Sequence, residues 1–341
     1  MIKSNFTFNW PLVGNGHIIE FLAKGIANDK IAGSYIFSGP DNLGKTTTAN
    51  YFARSLVCQR AQEGTAILPC GKCPACQQAE KGLHGDIHLV KKDKDKKNIS
   101  IEQIRDFIRI LGMASFLNSY KIGIIKHAES LSIEAANALL KTLEEPKIKV
   151  VIILVTSNIG ALPATIVSRS QVLRFKLVKA DLIYDYLIRD YKAKRSMAKD
   201  LSYLCLGRPS LAVKFLEDRE FYNVYLNRAN GFFQFSQEDI NKRLAVVEEL
   251  IGAKAGGQES VKIAGRIIEI WQGITRDLLL LEFGQDCLTQ HLLLEDELKK
   301  IKTKFKPSDL LNLAKNLRQA KEYLAANVNP KLVLENIAIN I

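Results

Sequence analysis

The stretch that most constrains this chain is Gly39-Pro40-Asp41-Asn42-Leu43-Gly44-Lys45-Thr46, which reads G-x-x-x-x-G-K-T. It follows the apolar run Tyr35-Ile36-Phe37 and precedes Thr47-Thr48-Ala49-Asn50-Tyr51-Phe52-Ala53-Arg54. Strand, glycine-bearing loop and helix in that order are the context in which this pattern denotes a phosphate-binding loop. Backbone N–H groups of such a loop face a phosphate at a helix N-terminus, where donors lack intrahelical partners. Gly39, Gly44, Lys45, Thr46 and Thr47 are therefore the candidate nucleotide-binding residues. Lys45 would reach the β- and γ-phosphates of ATP or ADP, and the Thr46 hydroxyl would hold Mg²⁺. Asp41 adds negative charge beside the phosphates, and Asn42 stands where many such loops carry glycine. Asparagine tolerates the left-handed conformation best after glycine, so the loop can keep its shape. Ahead of it, residues 12–31 place Ile18, Ile19, Phe21, Leu22 and Ile26 on one side of a predicted helix. Val13-Gly14 lies where the chain could approach the base of a nucleotide.

At 341 residues, two or three domains are expected. The longest apolar run, Val150 to Val155, falls far short of the roughly 20 residues of a membrane span. Met1 to Phe6 lacks the apolar core of a signal peptide, so a cytoplasmic protein is expected. Lys+Arg 48 against Asp+Glu 36 gives 48 − 36 = +12, with the basic residues spread along the chain. That charge suits work near nucleic acid and equally a solvated basic surface. The dense run Lys91 to Lys97 mixes signs and reads as an exposed loop.

After the P-loop helix come Cys58, Cys70, Cys73 and Cys76, the last three in overlapping C-x-x-C steps. Four soft sulfur donors with no open position describe a closed structural Zn²⁺ site; a redox pair or free thiols are the alternatives. His84 and His88, just downstream, read as ordinary loop or strand histidines, and Cys205 and Cys287 as core residues.

Ser100 and Gln103 form a capping box that opens a helix running to about Leu111. Lys121 to Ile125 and Lys149 to Val155 read as buried strands, separated by a helix from Ser132 to Glu145 that Pro146 stops. Buried strands alternating with helices behind a P-loop predict a three-layer α/β domain with a parallel sheet. Residues from Ala180 to about Asp218 read as a small helical lid. Beyond Arg219 only amphipathic helices follow, with breaks at Gly256-Gly257, Lys306-Pro307 and Asn329-Pro330. Between Val261 and Leu281, Ile263, Ile267, Ile270, Trp271, Ile274 and Leu278 share one face.

Asn137-Ala-Leu-Leu-Lys-Thr-Leu-Glu-Glu-Pro146 resembles the signature segment of the bacterial DNA polymerase III clamp-loader family, within the AAA+ class. Thr165-Ile-Val-Ser-Arg-Ser170 is similar to that family's Ser-Arg-Cys motif, with Ser170 in place of Cys. The cysteine module and Ala326-Asn327-Val328-Asn329-Pro330-Lys331-Leu332 are shared too, so the likeness covers essentially the whole chain. It implies an AAA+ P-loop domain over 1–178 with a zinc module at 58–76, a helical lid over 179–218 and an oligomerising helical collar over 219–341. It implies as partners the ring's gamma/tau motor and delta clamp-opening subunits, the sliding clamp, and primed DNA through the complex.

The resemblance also marks two departures. Active members carry Asp-Glu after the strand that here ends Ile124-Ile125: the Asp helps hold Mg²⁺ and the Glu polarises the attacking water. Here those positions are Lys126 and His127, and recruiting Glu129 would require a shifted register. The arginine that motor subunits place on the γ-phosphate from the lid matches Leu211, with Arg208 on the wrong side of the turn. Thr156-Ser157-Asn158 still resembles the polar sensor, and Arg169 is retained. In such rings that arginine acts in trans at a neighbour's nucleotide; pairing with a carboxylate of its own domain is its other possible use. The combination implies a stator without ATPase activity of its own. The alternative is an active gamma/tau-type motor, which the intact loop favours and Lys126, His127 and Leu211 oppose. An unrelated P-loop kinase would leave the cysteine module and Ser-Arg-Ser segment unexplained.

Overall fold

Tyr35-Ile36-Phe37 sits mid-strand because β-branched and aromatic side chains suit a pleated, packed surface. The computed structural model describes residues 6–63, 67–93, 96, 98–115, 120–145, 147–235, 238–252 and 257–340. Pro146, Gly256, Lys94, Asp95, Lys97 and the first five residues, on which the sequence makes predictions, lie outside them. The strands are β1 (Thr7–Phe8), β2 (Ser34–Ser38), β3 (Ile67–Leu68), β4 (Ile87–Val90), β5 (Lys121–Lys126), β6 (Val150–Thr156) and β7 (Gln171–Arg174). Helices α1 (Gly16–Ala27), α2 (Lys45–Val57), α3 (Pro74–Glu80), α4 (Ile101–Leu111), α5 (Ile133–Glu144) and α6 (Ala164–Val167) are interleaved with them.

β1 and β3 form a short parallel pair, while the main sheet runs β4-β5-β6-β2-β7, parallel throughout. Successive side chains on a strand point to opposite faces. Accordingly Tyr35, Phe37, Val151 and Ile153 join a core with Ile18 and Leu22 of α1 and Phe52 of α2. Ile36, Ile152 and Leu154 join a second core with Phe107 of α4 and Leu139 of α5. Three layers follow, as predicted. Gly123 in β5 leaves the space that the Phe107 ring occupies. α4 has the capping box read from Ser100 and Gln103, and α5 starts at an N-cap Ser132.

α1 is shorter than the predicted 12–31 because Gly14 and Asn15 ahead of it, at φ 66° and 50°, and Asp29 beyond it, at φ 51°, adopt a conformation that no right-handed helix continues. Ile18 and Leu22 are buried, but Phe21 falls to the edge of the stripe and is 45% exposed. Cys205 is buried as predicted, whereas Cys287 is exposed, because it lies in a surface 3₁₀ turn, Asp286–Leu288, with no buried residue.

The chain groups into two compact units, residues 1–182 with 207–210, and 183–206 with 211–341. The second contains helices only among its described residues: most of α7 (Ala180–Tyr191), α8 (Arg195–Leu204), most of α9 (Pro209–Glu217), α10 (Arg219–Phe235), α11 (Ile240–Ile251), α12 (Gly257–Glu282), α13 (Glu295–Lys302), α14 (Pro307–Ala325) and α15 (Pro330–Ile339). Its core is built on Phe232, Phe235, Ile267, Trp271, Ile274 and Leu278 with Leu317 and Leu334. Pro307 and Pro330 open their helices, where the missing N–H costs nothing.

Candidate nucleotide site and cysteine centre

Register brings the site together: Ser38 of β2 pairs with Thr156 of β6, and Lys126 of β5 pairs with Val155. The carboxyl ends of three adjacent strands are thus level, the position where open α/β sheets bind ligands. Gly39 has φ 144°, and a Cβ there would lie 2.5 Å from the Phe175 carbonyl oxygen, so no other residue fits. Asn42 adopts the left-handed conformation, φ 64°, that its side chain tolerates, and Gly44 follows at φ 82°. The loop keeps its shape despite lacking a glycine at 42.

Lys45 is buried, and its amine donates to the Gly39 carbonyl and, at 2.6 Å, to that of Pro40. Asp41 lies 3.6 Å away as an ion pair, and burial pushes the Lys45 amine below its ordinary range. Beside it is a cavity of about 180 Å³ whose walls include Thr46, Thr47, Lys126, His127, Ser157 and Ser210. That room suits phosphate groups; pockets for whole drug-sized ligands run to roughly 300–1,000 Å³.

Lys126 and His127 thus line the cavity beside the loop. No carboxylate among the described residues pairs with Lys126. His127 turns left-handed, φ 53°, and starts the 3₁₀ turn Ala128–Ser130. That turn carries Glu129 back, its Oε1 3.5 Å from His127 Nδ1 and accepting from Ser157 Oγ at 2.9 Å. Burial works against the charged carboxylate, but hydrogen bonds from His127, Thr156 and Ser157 prevail and hold Glu129 at about 2. The same pair raises His127 above its ordinary value. Glu129 is thus committed to a clasp between the ends of β5 and β6.

Three residues acquire roles beyond those that the sequence motifs assign. Glu129 forms the clasp, Asp41 pairs with Lys45, and the Ser210 N–H donates to the Asn42 carbonyl at 3.1 Å. Only the Asp41–Lys45 pair had a signal in the sequence, their four-residue separation. Leu211 falls in the other unit, and Arg208 does not line the cavity.

The cysteines converge. Cys58 caps the C-terminus of α2 and Cys73 the N-terminus of α3, and the Sγ atoms of Cys58, Cys70, Cys73 and Cys76 all lie within 4.8 Å of one another. Cys70 and Cys76 Sγ are 3.9 Å apart, close to the roughly 3.8 Å edge of a tetrahedron with Zn–S bonds of about 2.3 Å. Backbone N–H groups of Cys73 and Cys76 donate to the sulfurs of Cys70 and Cys73, each at 3.4 Å, which favours thiolates. Four thiols so placed can hold a metal ion. His84 and His88 are outside the cluster; the Asp86 N–H donates to His84 Nδ1, and burial lowers both histidines.

Arg169 follows α6, anchored by Ser34 Oγ donating to its carbonyl at 2.7 Å. Its guanidinium pairs with Glu144 at 2.7 Å and donates to the Thr165 carbonyl at 3.1 Å. In this chain alone it thus takes the intradomain pairing that the sequence also allows.

The family described as "DNA polymerase III, delta subunit" matches residues 14–179. The delta' subunit of Bacillus subtilis DNA polymerase III is 28% identical, over 94% of each chain. The tau subunit of the same organism is 36% identical over 50% of this chain and 30% of its own length. The chain spans about half or less of the length of the gamma and tau relatives it matches. A DNA polymerase III gamma subunit-related protein of Thermotoga maritima shares the fold, with 21% identity, 94% and 97% of the two chains covered and a TM-score of 0.53.

Proposed function

We propose, on the premise that this chain belongs to the clamp-loader subunit family of DNA polymerase III, that it is the delta-prime-type stator of that complex. One observation carries the reading: Lys126 and His127 stand at the phosphate loop where hydrolysis needs carboxylates for metal and water. The remaining parts then serve the assembly. Residues 1–178 form the nucleotide-binding-like domain, 179–218 the lid and 219–341 the collar that joins gamma/tau and delta subunits in a ring. The ring, working in the cytoplasm, loads the sliding clamp onto primed DNA. Cys58, Cys70, Cys73 and Cys76 hold a structural Zn²⁺ that fixes α3 against the end of α2. Arg169 leaves Glu144 on assembly and stabilises charge at the neighbour's ATP.

The intact Gly39–Thr46 loop favours the second reading, a gamma/tau-type ATPase motor. Reconstitution with gamma/tau and delta subunits tests the first. A ring should assemble with either wild type or Arg169→Ala, and the variant should slow turnover at the site it serves by at least about a hundredfold. Unchanged turnover would confine Arg169 to its pair with Glu144. Failure of this chain to enter the ring would overturn the stator reading itself.

A further inference from the structure

We propose that the P-loop cavity takes a di- or triphosphate group as a bare anion, with the Lys126 amine supplying the charge that a divalent metal would otherwise bring. The inference rests on the stator reading and sharpens it to a ligand class.

The cavity walls carry three basic side chains, Lys45, Lys126 and His127, and one acidic side chain, Asp41. Asp41 is engaged with Lys45 at 3.6 Å. Glu129 does not line the cavity, and its oxygens are taken by His127 and Ser157. Mg²⁺ is bound through one or two carboxylates together with substrate phosphates. Among the described residues the sole lining carboxylate is thus already paired and the Lys126 ammonium has no carboxylate partner, so the site repels that ion.

The same arrangement attracts phosphate. Thr46 and Thr47 lie in the first turn of the thirteen-residue α2, whose N–H groups have no helical partner. Lys126 adds a full charge with no carboxylate among the described residues to neutralise it. Lys45 donates to neutral carbonyls of its own loop, and a charged phosphate oxygen is roughly twice as strong an acceptor. With three donors, the Lys45 ammonium can turn from those carbonyls to the ligand while keeping its pair with Asp41.

Calorimetric titration of the full chain with ADP and with inorganic pyrophosphate, in EDTA and in Mg²⁺, tests this. Both probes should bind in EDTA at least as tightly as in Mg²⁺. Lys126→Met should weaken binding in EDTA by on the order of tenfold, the loss of one partly screened charge. Lys126→Asp should weaken it further and make the remaining affinity depend on Mg²⁺. Binding that appears only with Mg²⁺, or that both variants retain unchanged, would overturn the proposal. So would no binding of either probe, an outcome that leaves the stator reading standing, since that reading fails instead through lack of ring assembly.

Discussion

The cysteine centre and the glycine-bearing loop lie at opposite ends of one helix, α2, and differ in what each depends on. At its C-terminal end all four sulfur donors converge within 4.8 Å. At its N-terminal end Gly39, Asn42 and Gly44 hold the loop's special conformations, and the end of β5 brings Lys126 and then His127 to the cavity wall. A metal site depends on its donors, so losing one abolishes it. A loop depends on its dihedrals, so its shape can stand whatever side chains face it across the cavity.

The contrast predicts effects of different size. The proposed zinc centre predicts that Cys73→Ser releases metal, read by metal analysis, and costs more than about 4 kcal/mol in thermal or denaturant unfolding, as loss of a structural metal does. Wild-type chain purified without zinc would refute the centre. Gly39→Ala should cost less, about 1–3 kcal/mol, or some 2–12 °C in the melting temperature, because its Cβ meets the Phe175 carbonyl at 2.5 Å. A variant melting with the wild type would show that the loop is more pliable than its φ of 144° implies.

The smallest effect concerns the clasp. His127 has a folded value above its unfolded one, so its contribution to stability is complete below about pH 6.5 and fades as pH rises through the folded value. Glu129 has a lowered value, so its contribution is present above about pH 4.5 and is lost as pH falls through about 2. The imidazole is 60% exposed, which keeps the energy small. NMR titration should place His127 above its ordinary value in the wild type and return it there in Glu129→Gln. An unshifted wild-type titration would dissolve the clasp.

Much of this was legible in sequence because it is local. The strand–loop–helix order, the Ser100–Gln103 box and the C-x-x-C steps each act over a few residues. The C-terminal helices were legible through their apolar stripe, from Ile263 to Leu278. What escaped depends on contacts across the fold. By sequence Glu129 lies out of register for the loop, yet a left-handed His127 turns it back to Ser157, 28 residues away. Ser210 reaches Asn42 across 168 residues of chain, 210 − 42, with no periodic signal to announce it. Phe21 and Cys287 failed in the other direction: apolar character alone did not reveal that one sits at a stripe's edge and the other in a surface turn.

ATP turnover by the purified chain, with primed DNA and sliding clamp present, tests the central claim most directly. The account predicts turnover no higher than that of the Lys45→Ala variant. Turnover that Lys45→Ala abolishes would make the chain a motor and contradict the role given to Lys126 and His127.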